Sequence, residues 1–196
     1  MYKNITQSSD WIVYTTAIDG SSDYLKLNGT DVANSGVSPW STLPTNSVVT
    51  VGTNNVDTCN DGDNFIMYAW HNVPGLQKFG KYTGNQNADG PFIELGFRPA
   101  LIWLKEIGNA GYWNIYDNKR NLSNLTDRIL WANDDYQEND TDIIGSSGSN
   151  AIDLLSNGFK LRSNKTGTNR SGGTYIYCAW AESPTFNLFG TSSNAR

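Results

Sequence analysis

Phe65-Ile-Met-Tyr-Ala-Trp-His-Asn-Val-Pro-Gly-Leu-Gln-Lys-Phe-Gly80 aligns without a gap on Tyr175-Ile-Tyr-Cys-Ala-Trp-Ala-Glu-Ser-Pro-Thr-Phe-Asn-Leu-Phe-Gly190, at an offset of 110 residues. Ile66, Ala69, Trp70, Pro74, Phe79 and Gly80 recur as Ile176, Ala179, Trp180, Pro184, Phe189 and Gly190. Further toward the N-terminus, Tyr24-Leu-Lys-Leu-Asn28 falls on Ile129-Leu-Trp-Ala-Asn133 at an offset of 105. Lys3, Ile5, Trp11 and Tyr14 fall on Lys105, Ile107, Trp113 and Tyr116 at 102. An offset that grows in steps is what two copies of one unit show once their loops have accepted insertions, because added loop length costs little. Two tandem units follow, the first over 1–83 and the second over 84–196.

Each unit reads as short strands separated by turn residues. In the second unit the apolar and aromatic runs at 97–107, 112–117, 128–132, 151–155, 158–162 and 174–181 are bounded by Gly, Asn, Ser and Pro. Phe159-Lys-Leu-Arg162 alternates, and Ser156-Asn-Gly158 supplies a tight turn before it. The counterparts in the first unit are 11–15, 24–28, 48–51 and 65–70. Composition agrees: Asn, Gly, Ser and Thr make up 78 of 196 residues, which favours turns and opposes helix interiors. Seven Trp, ten Tyr and seven Phe supply the apolar mass that a disordered polar chain lacks. The fold class expected is all-β, as two similar β-sandwich or jelly-roll lobes.

The second unit opens with a leading segment, Gly90-Pro-Phe-Ile-Glu-Leu-Gly-Phe-Arg-Pro-Ala-Leu-Ile-Trp-Leu104, whereas the first begins at the residue matching Lys105. Either a piece of the protein precedes the first unit, or its open edge is covered by another chain or by residues 185–190, since a bare edge invites aggregation. The net charge is −5 with 14 Lys and Arg scattered singly, so a nucleic-acid partner is not expected. No eighteen-residue apolar stretch is present and the first residues lack an apolar signal core, so neither membrane insertion nor a secretory signal is expected. Cys59 lies in a polar loop and Cys178 in an apolar run, which argues for free thiols without metal spacing.

The search for chemistry yields few candidates. His71 is the single histidine and is read as a surface residue rather than a base. The four glutamates, Glu94, Glu106, Glu138 and Glu182, form no recognisable acid and base pair for glycoside hydrolysis. Calcium takes roughly six to eight oxygen ligands, and two acidic loops offer carboxylates: Asp57, Asp61 and Asp63 around Gly62, and Asn133-Asp-Asp-Tyr-Gln-Glu-Asn-Asp-Thr-Asp142, which includes Asp140 and Asp142. Neither matches the EF-hand frame, so the expectation is turn loops and no cofactor, with calcium as the alternative. Sugar binding suits the composition, because an aromatic ring stacks on the C–H face of a pyranose while Asn and Asp side chains bond its hydroxyls. The loop aromatics Trp40 and Tyr136, with Asp134, Asp135 and Asn139, are the ligand-binding candidates. Trp70, Trp180, Trp103 and Trp131 are assigned to strands and hence to the core.

The runs Lys78-Phe-Gly-Lys-Tyr-Thr-Gly-Asn85, Asp89-Gly-Pro-Phe-Ile93, Gly96-Phe-Arg-Pro-Ala100, Trp113-Asn-Ile-Tyr-Asp-Asn-Lys-Arg120, Ser156-Asn-Gly-Phe-Lys-Leu161 and Gly172-Gly-Thr-Tyr-Ile-Tyr177, with Ala179-Trp-Ala-Glu-Ser-Pro184, resemble the C-terminal region of bacteriophage tail proteins, especially those of marine phages. The resemblance implies concanavalin-like sandwich units at the distal end of a tail fibre, in the virion. It further implies a bacterial cell-surface polysaccharide or lipopolysaccharide as ligand, and other fibre chains, as a homotrimer, as partners. A non-enzymatic receptor-binding adhesin is thus the leading expectation. A tail-associated polysaccharide depolymerase and a structural fibre-tip domain stand beside it.

Overall fold

The run from Tyr175 to Trp180 is apolar without alternation; in the folded chain one face of this segment is covered by the three-stranded sheet and the other, at Ile176, by the four-stranded sheet. The computed structural model describes residues 1–35, 39–52, 60–138 and 150–184. In chain order the elements are β1 (Tyr2–Asn4), β2 (Ile12–Tyr14), β3 (Tyr24–Lys26), β4 (Phe65–Met67), β5 (Gln77–Thr83), β6 (Phe92–Glu94), β7 (Pro99–Glu106), β8 (Asn114–Asp117), β9 (Leu130–Trp131), β10 (Ile152–Leu155), β11 (Gly158–Leu161), the single helical turn α1 (Thr166–Asn169) and β12 (Thr174–Ala181). The strands pair antiparallel in three sheets: β3-β2-β1-β4, β10-β11-β6 and β5-β12-β7-β8-β9. The all-β class read from the sequence is therefore the class of the fold.

The five-stranded sheet is the middle layer. Tyr175, Tyr177 and Ala179 of β12 join Ile102 and Leu104 of β7, Tyr116 of β8 and Tyr82 of β5 in a core closed by Ile152, Leu154, Phe159 and Leu161 of the three-stranded sheet. Ile176, one residue out of phase, faces the other way and packs with Trp113, Leu25, Ile18 and Val13 beneath the four-stranded sheet. A strand buried on both faces reads as a continuous apolar run, which is why β12 does not alternate. The four-stranded sheet has a second apolar face, where Tyr2, Ile12, Tyr14 and Tyr24 pack with Trp40 and Val51.

Polar tethers hold the four-stranded sheet to the middle layer. Lys105 Nζ donates to the carbonyls of Thr30 (3.1 Å) and Gly111 (2.9 Å), Lys81 Nζ to Ile18 O (2.8 Å) and Trp113 Nε1 to Lys26 O (2.9 Å). Three of these four carbonyls, at Ile18, Lys26 and Thr30, lie in or beside the β2–β3 hairpin, and a buried carbonyl needs such a partner.

Three local expectations are corrected. Residues 48–51 form no strand; Val51 makes only an isolated bridge with Trp40. The strand expected over 65–70 stops at Met67, so Tyr68 and Trp70 leave the sheet and stand 42% and 43% exposed, not in the core. Trp40, expected at a loop surface, is 5% exposed: its ring meets Tyr2 (4.9 Å) and Tyr14 (5.5 Å) edge-on and roofs the outer face of the four-stranded sheet. A loop that crosses an apolar sheet face gains most by burying its largest ring there.

β5 was not anticipated as a strand. It lies before the residue 83/84 boundary and pairs with β12 from Thr174↔Thr83 to Trp180↔Gln77. Among the described residues β3 and β4 are the edges of the four-stranded sheet. Residues 185–190, the expected cover, lie outside the described residues.

Candidate functional site

Where β12 continues beyond Ile176, the second face of the middle sheet is no longer closed by the four-stranded sheet. Cys178 and Trp180 of β12, Trp103 of β7 and Phe79 of β5 lie on that face. Trp103 and Phe79 both stand opposite Cys178 in the strand register. The rings meet edge to face, Phe79 on Trp180 at 5.7 Å and Trp103 on Trp180 at 5.9 Å, forming an aromatic floor across three strands.

Above this floor lies a cavity of about 560 Å³, within the size range of small-molecule sites. Its far wall comes from the four-stranded sheet and its loops, through Val13, Tyr14, Thr15, Thr16 and Trp40. Met67, Tyr68, Trp70, His71 and Asn72, with Met1, add to the lining. Thr16, Met67, Tyr68, Trp70, His71 and Asn72 are exposed and mark the mouth, whereas Trp113, Ile176 and Tyr177 are buried.

The mouth is built by a turn. Val73-Pro74-Gly75-Leu76 places Pro and then Gly, φ +73°, at the central turn positions, and Leu76 N donates to Val73 O at 3.0 Å. A type II turn needs a positive φ at the third position, which Gly adopts freely. This turn folds the segment after β4 back onto β5, where Asn72 Oδ1 accepts Phe79 N–H (2.8 Å) and Gln77 Nε2 donates to His71 O (2.7 Å). Tyr68 and Trp70 are thereby held nearly parallel, centroids 6.0 Å apart at 21°. Trp11 extends the row from Tyr68 at 6.2 Å and 31°, with Lys3 Nζ 5.9 Å from its ring centre.

The lining is mostly aromatic and aliphatic, and it includes Met1, whose amino group donates to Tyr68 O at 2.8 Å. Among the described residues no Asp, Glu, Lys or Arg side chain lines it. Burial pushes the Cys178 thiol up to about 12, so it stays protonated and unreactive. Trp103 Nε1 is buried and has no hydrogen-bond partner among the described residues. A buried donor without an acceptor costs about 1–3 kcal/mol.

Of the ligand-binding and metal candidates read from the sequence, only Trp40 among the described residues borders this cavity. Tyr136 is 37% exposed and leans edge-on against Tyr112 (5.9 Å) and Trp131 (6.1 Å), covering an edge of the main core. Asp134 accepts the backbone N–H of Asp135 at 2.9 Å, as a turn former does. Asp63 Oδ2 accepts amide donors from Asn4 (2.8 Å), Gln7 (2.8 Å) and Asn60 (2.9 Å), and these bonds, Asn4 first, hold its carboxyl below the usual range. This clasp fastens the start of the chain to the turn before β4. Asp61 is exposed in the same turn. Asn139, Asp57, Asp140, Asp142 and Cys59 lie outside the described residues, and Cys178 is a free thiol. Among the described residues no group of three or more His, Cys, Asp or Glu is placed to hold a metal ion, and no helix is long and apolar enough to cross a membrane.

Tyr68, Trp70, Phe79, Trp103 and Trp180 were not read as site residues. The available signal was the change from apolar strand to His71-Asn72 followed at once by Pro74-Gly75, which ends a strand early and strands its last aromatics outside the sheet.

Residues 1–184 match the model of one family, described as Domain of unknown function (DUF7483). No curated protein and no solved structure matches the chain.

Proposed function

We propose that this chain, which belongs to the DUF7483 family, is a non-enzymatic receptor-binding module at the distal end of a bacteriophage tail fibre. Its ligand is a bacterial cell-surface polysaccharide or lipopolysaccharide. The sequence resemblance supports the setting, and the aromatic cavity carries the binding role. Tyr68 and Trp70 offer exposed ring faces at its mouth, and Trp180, Trp103 and Phe79 offer ring area inside. Aromatic rings take up the C–H faces of a pyranose, while Thr16, His71 and Asn72 are polar groups within reach of its hydroxyls.

Binding is favoured over cleavage by the state of the carboxylates. Glycoside hydrolysis needs two carboxyl groups flanking one bond, and among the described residues none lines the cavity. Glu106 is held by Arg170 at 2.9 Å, Glu138 by Arg120 and Arg128 at 2.7 and 3.1 Å, and Glu182 by Arg98 at 3.1 Å. A single aromatic sugar site binds weakly by itself, and a homotrimeric fibre would multiply it through avidity.

The test is binding of the purified protein to host cells and to an array of bacterial surface glycans, with Trp70→Ala alongside. Saccharide-dependent binding that weakens in the variant, without shortening of the saccharide, is the expected result. Failure to bind any cell or glycan would sink the adhesin reading.

A further inference from the structure

We infer that the open edge of β4 is a docking edge for an extended strand, and that its occupant is the C-terminal segment of the same chain, residues 187–192. The two larger sheets pair in one register at positions that the sequence repeat equates. Tyr2 stands opposite Met67 and Ile12, and Ile12 stands opposite Lys26. At the matching positions Leu104 stands opposite Tyr177 and Asn114, and Asn114 opposite Trp131. The order β3-β2-β1-β4 thus answers to β9-β8-β7-β12, and the middle sheet has one strand more, β5 on the outer edge of β12. Among the described residues no strand takes the corresponding place on β4.

Burial differs accordingly. No residue from Tyr175 to Trp180 is exposed, whereas Met67, Tyr68, Ala69 and Trp70 of the matching run are. Tyr68 N–H donates to Met1 O, so by the alternation of an antiparallel strand the N–H groups of Phe65 and Met67 face the open edge. An apolar strand with such an edge is a template for pairing. β5 follows β4 through the turn at 73–76 and docks on the second unit. Beyond Pro184 the chain lies outside the described residues, but its sequence repeats the opening of β5. Phe186-Asn-Leu-Phe-Gly190 falls on Leu76-Gln-Lys-Phe-Gly80, with Pro184 in place of Pro74. Carried across the repeat, the register of β5 on β12 sets Gly190 opposite Met67, as Gly80 stands opposite Tyr177, and Thr191 opposite Ile66, as Lys81 stands opposite Ile176. The exchange is then reciprocal, each unit lending its last strand to the other. Trp180 and Met67 border one cavity, and residues 182–186 add up to about 17 Å of reach when extended. The pairing is independent of what the cavity binds.

The test uses the full chain in a Cys59→Ser background. Ile66→Cys with Thr191→Cys forms a non-hydrogen-bonded pair whose Cα atoms lie about 4.5 Å apart, within disulfide range. Mild oxidation should link the two within one chain, read as a monomer on a non-reducing denaturing gel and by peptide mapping. Ile66→Cys with Ser193→Cys, two residues out of register, should stay reduced. No link in the first pair, equal linking of both pairs, or a link only between two chains overturns the inference, the last by giving the edge to a second copy. Should the double variant fail to fold, hydrogen exchange of the wild-type protein decides. Its Phe65 and Met67 amides should exchange at least about a hundredfold more slowly than unstructured amides, and less protection than that refutes the pairing.

Discussion

Lys105 shows how much one side chain contributes to joining the layers. It is wholly buried, yet both of its bonds go to backbone carbonyls, at Thr30 and Gly111. Desolvation lowers its ammonium group from 10.5 to about 8, with Glu106 and Asp31 opposing the shift. Below pH 8 folded and unfolded chains both hold the proton and the burial cost is carried in full. From pH 8 to 10.5 the unfolded chain binds more protons, so this group raises stability with pH, by up to roughly 3 kcal/mol. Cys178 acts in the opposite sense above pH 9, because burial holds its thiol up to about 12. Urea denaturation of wild type and Lys105→Met at pH 7.5 and 10 cancels the thiol and the tyrosines, and the wild-type minus variant difference should grow in favour of wild type. At the mouth, Trp70→Ala should weaken glycan binding about tenfold or more with little change in Tm, since Trp70 is 43% exposed. A large Tm loss would make Trp70 a structural residue.

Among the elements, β12 was legible to its bounds and β5 was not, for one physical reason. The central strand has apolar neighbours on both faces and carries them in its sequence as a continuous run. The edge strand, Gln77-Lys-Phe-Gly-Lys-Tyr-Thr83, carries two lysines and a glycine that mask any alternation, and lysine is a common device for keeping an edge from pairing further. Gly80 is required there because Tyr177 lies over it, with its hydroxyl 2.7 Å from where a Cβ would stand. A tighter case is Gly158 of β11, opposite Glu94 of β6, where a Cβ would lie 2.1 Å from Ile93 O. Backbone cannot yield as a side-chain tip can, so Gly158→Ala should cost about 1–3 kcal/mol and lower Tm by roughly 3–10 °C. Calorimetry checks it, and a change under 1 °C would mean that β6 moves off freely.

For the molecule as a whole, the repeat points to two units and the layers to shared cores. β5 joins the middle sheet from before the 83/84 boundary, and Trp113 of the second unit packs with Leu25 and Ile18 of the first while donating to Lys26 O. Trp113→Ala should therefore destabilise by about 3–5 kcal/mol and keep a single urea transition, monitored in parallel by far-UV circular dichroism and by fluorescence. Two separated transitions would show that the units unfold independently.

The β class, most of the strands of the second unit, and the turns that bound them were determined by the sequence itself. They depend on local chemistry, where apolar runs are broken by Gly, Asn, Ser and Pro. Only the tertiary structure decided which aromatics are buried. Trp40, in a polar loop, is roofed onto a sheet face, and Trp70, in an apolar run, is left at a cavity mouth. Burial depends on what a second sheet brings over each face, and that is a matter of contacts between residues far apart in the chain, which neither composition nor periodicity records.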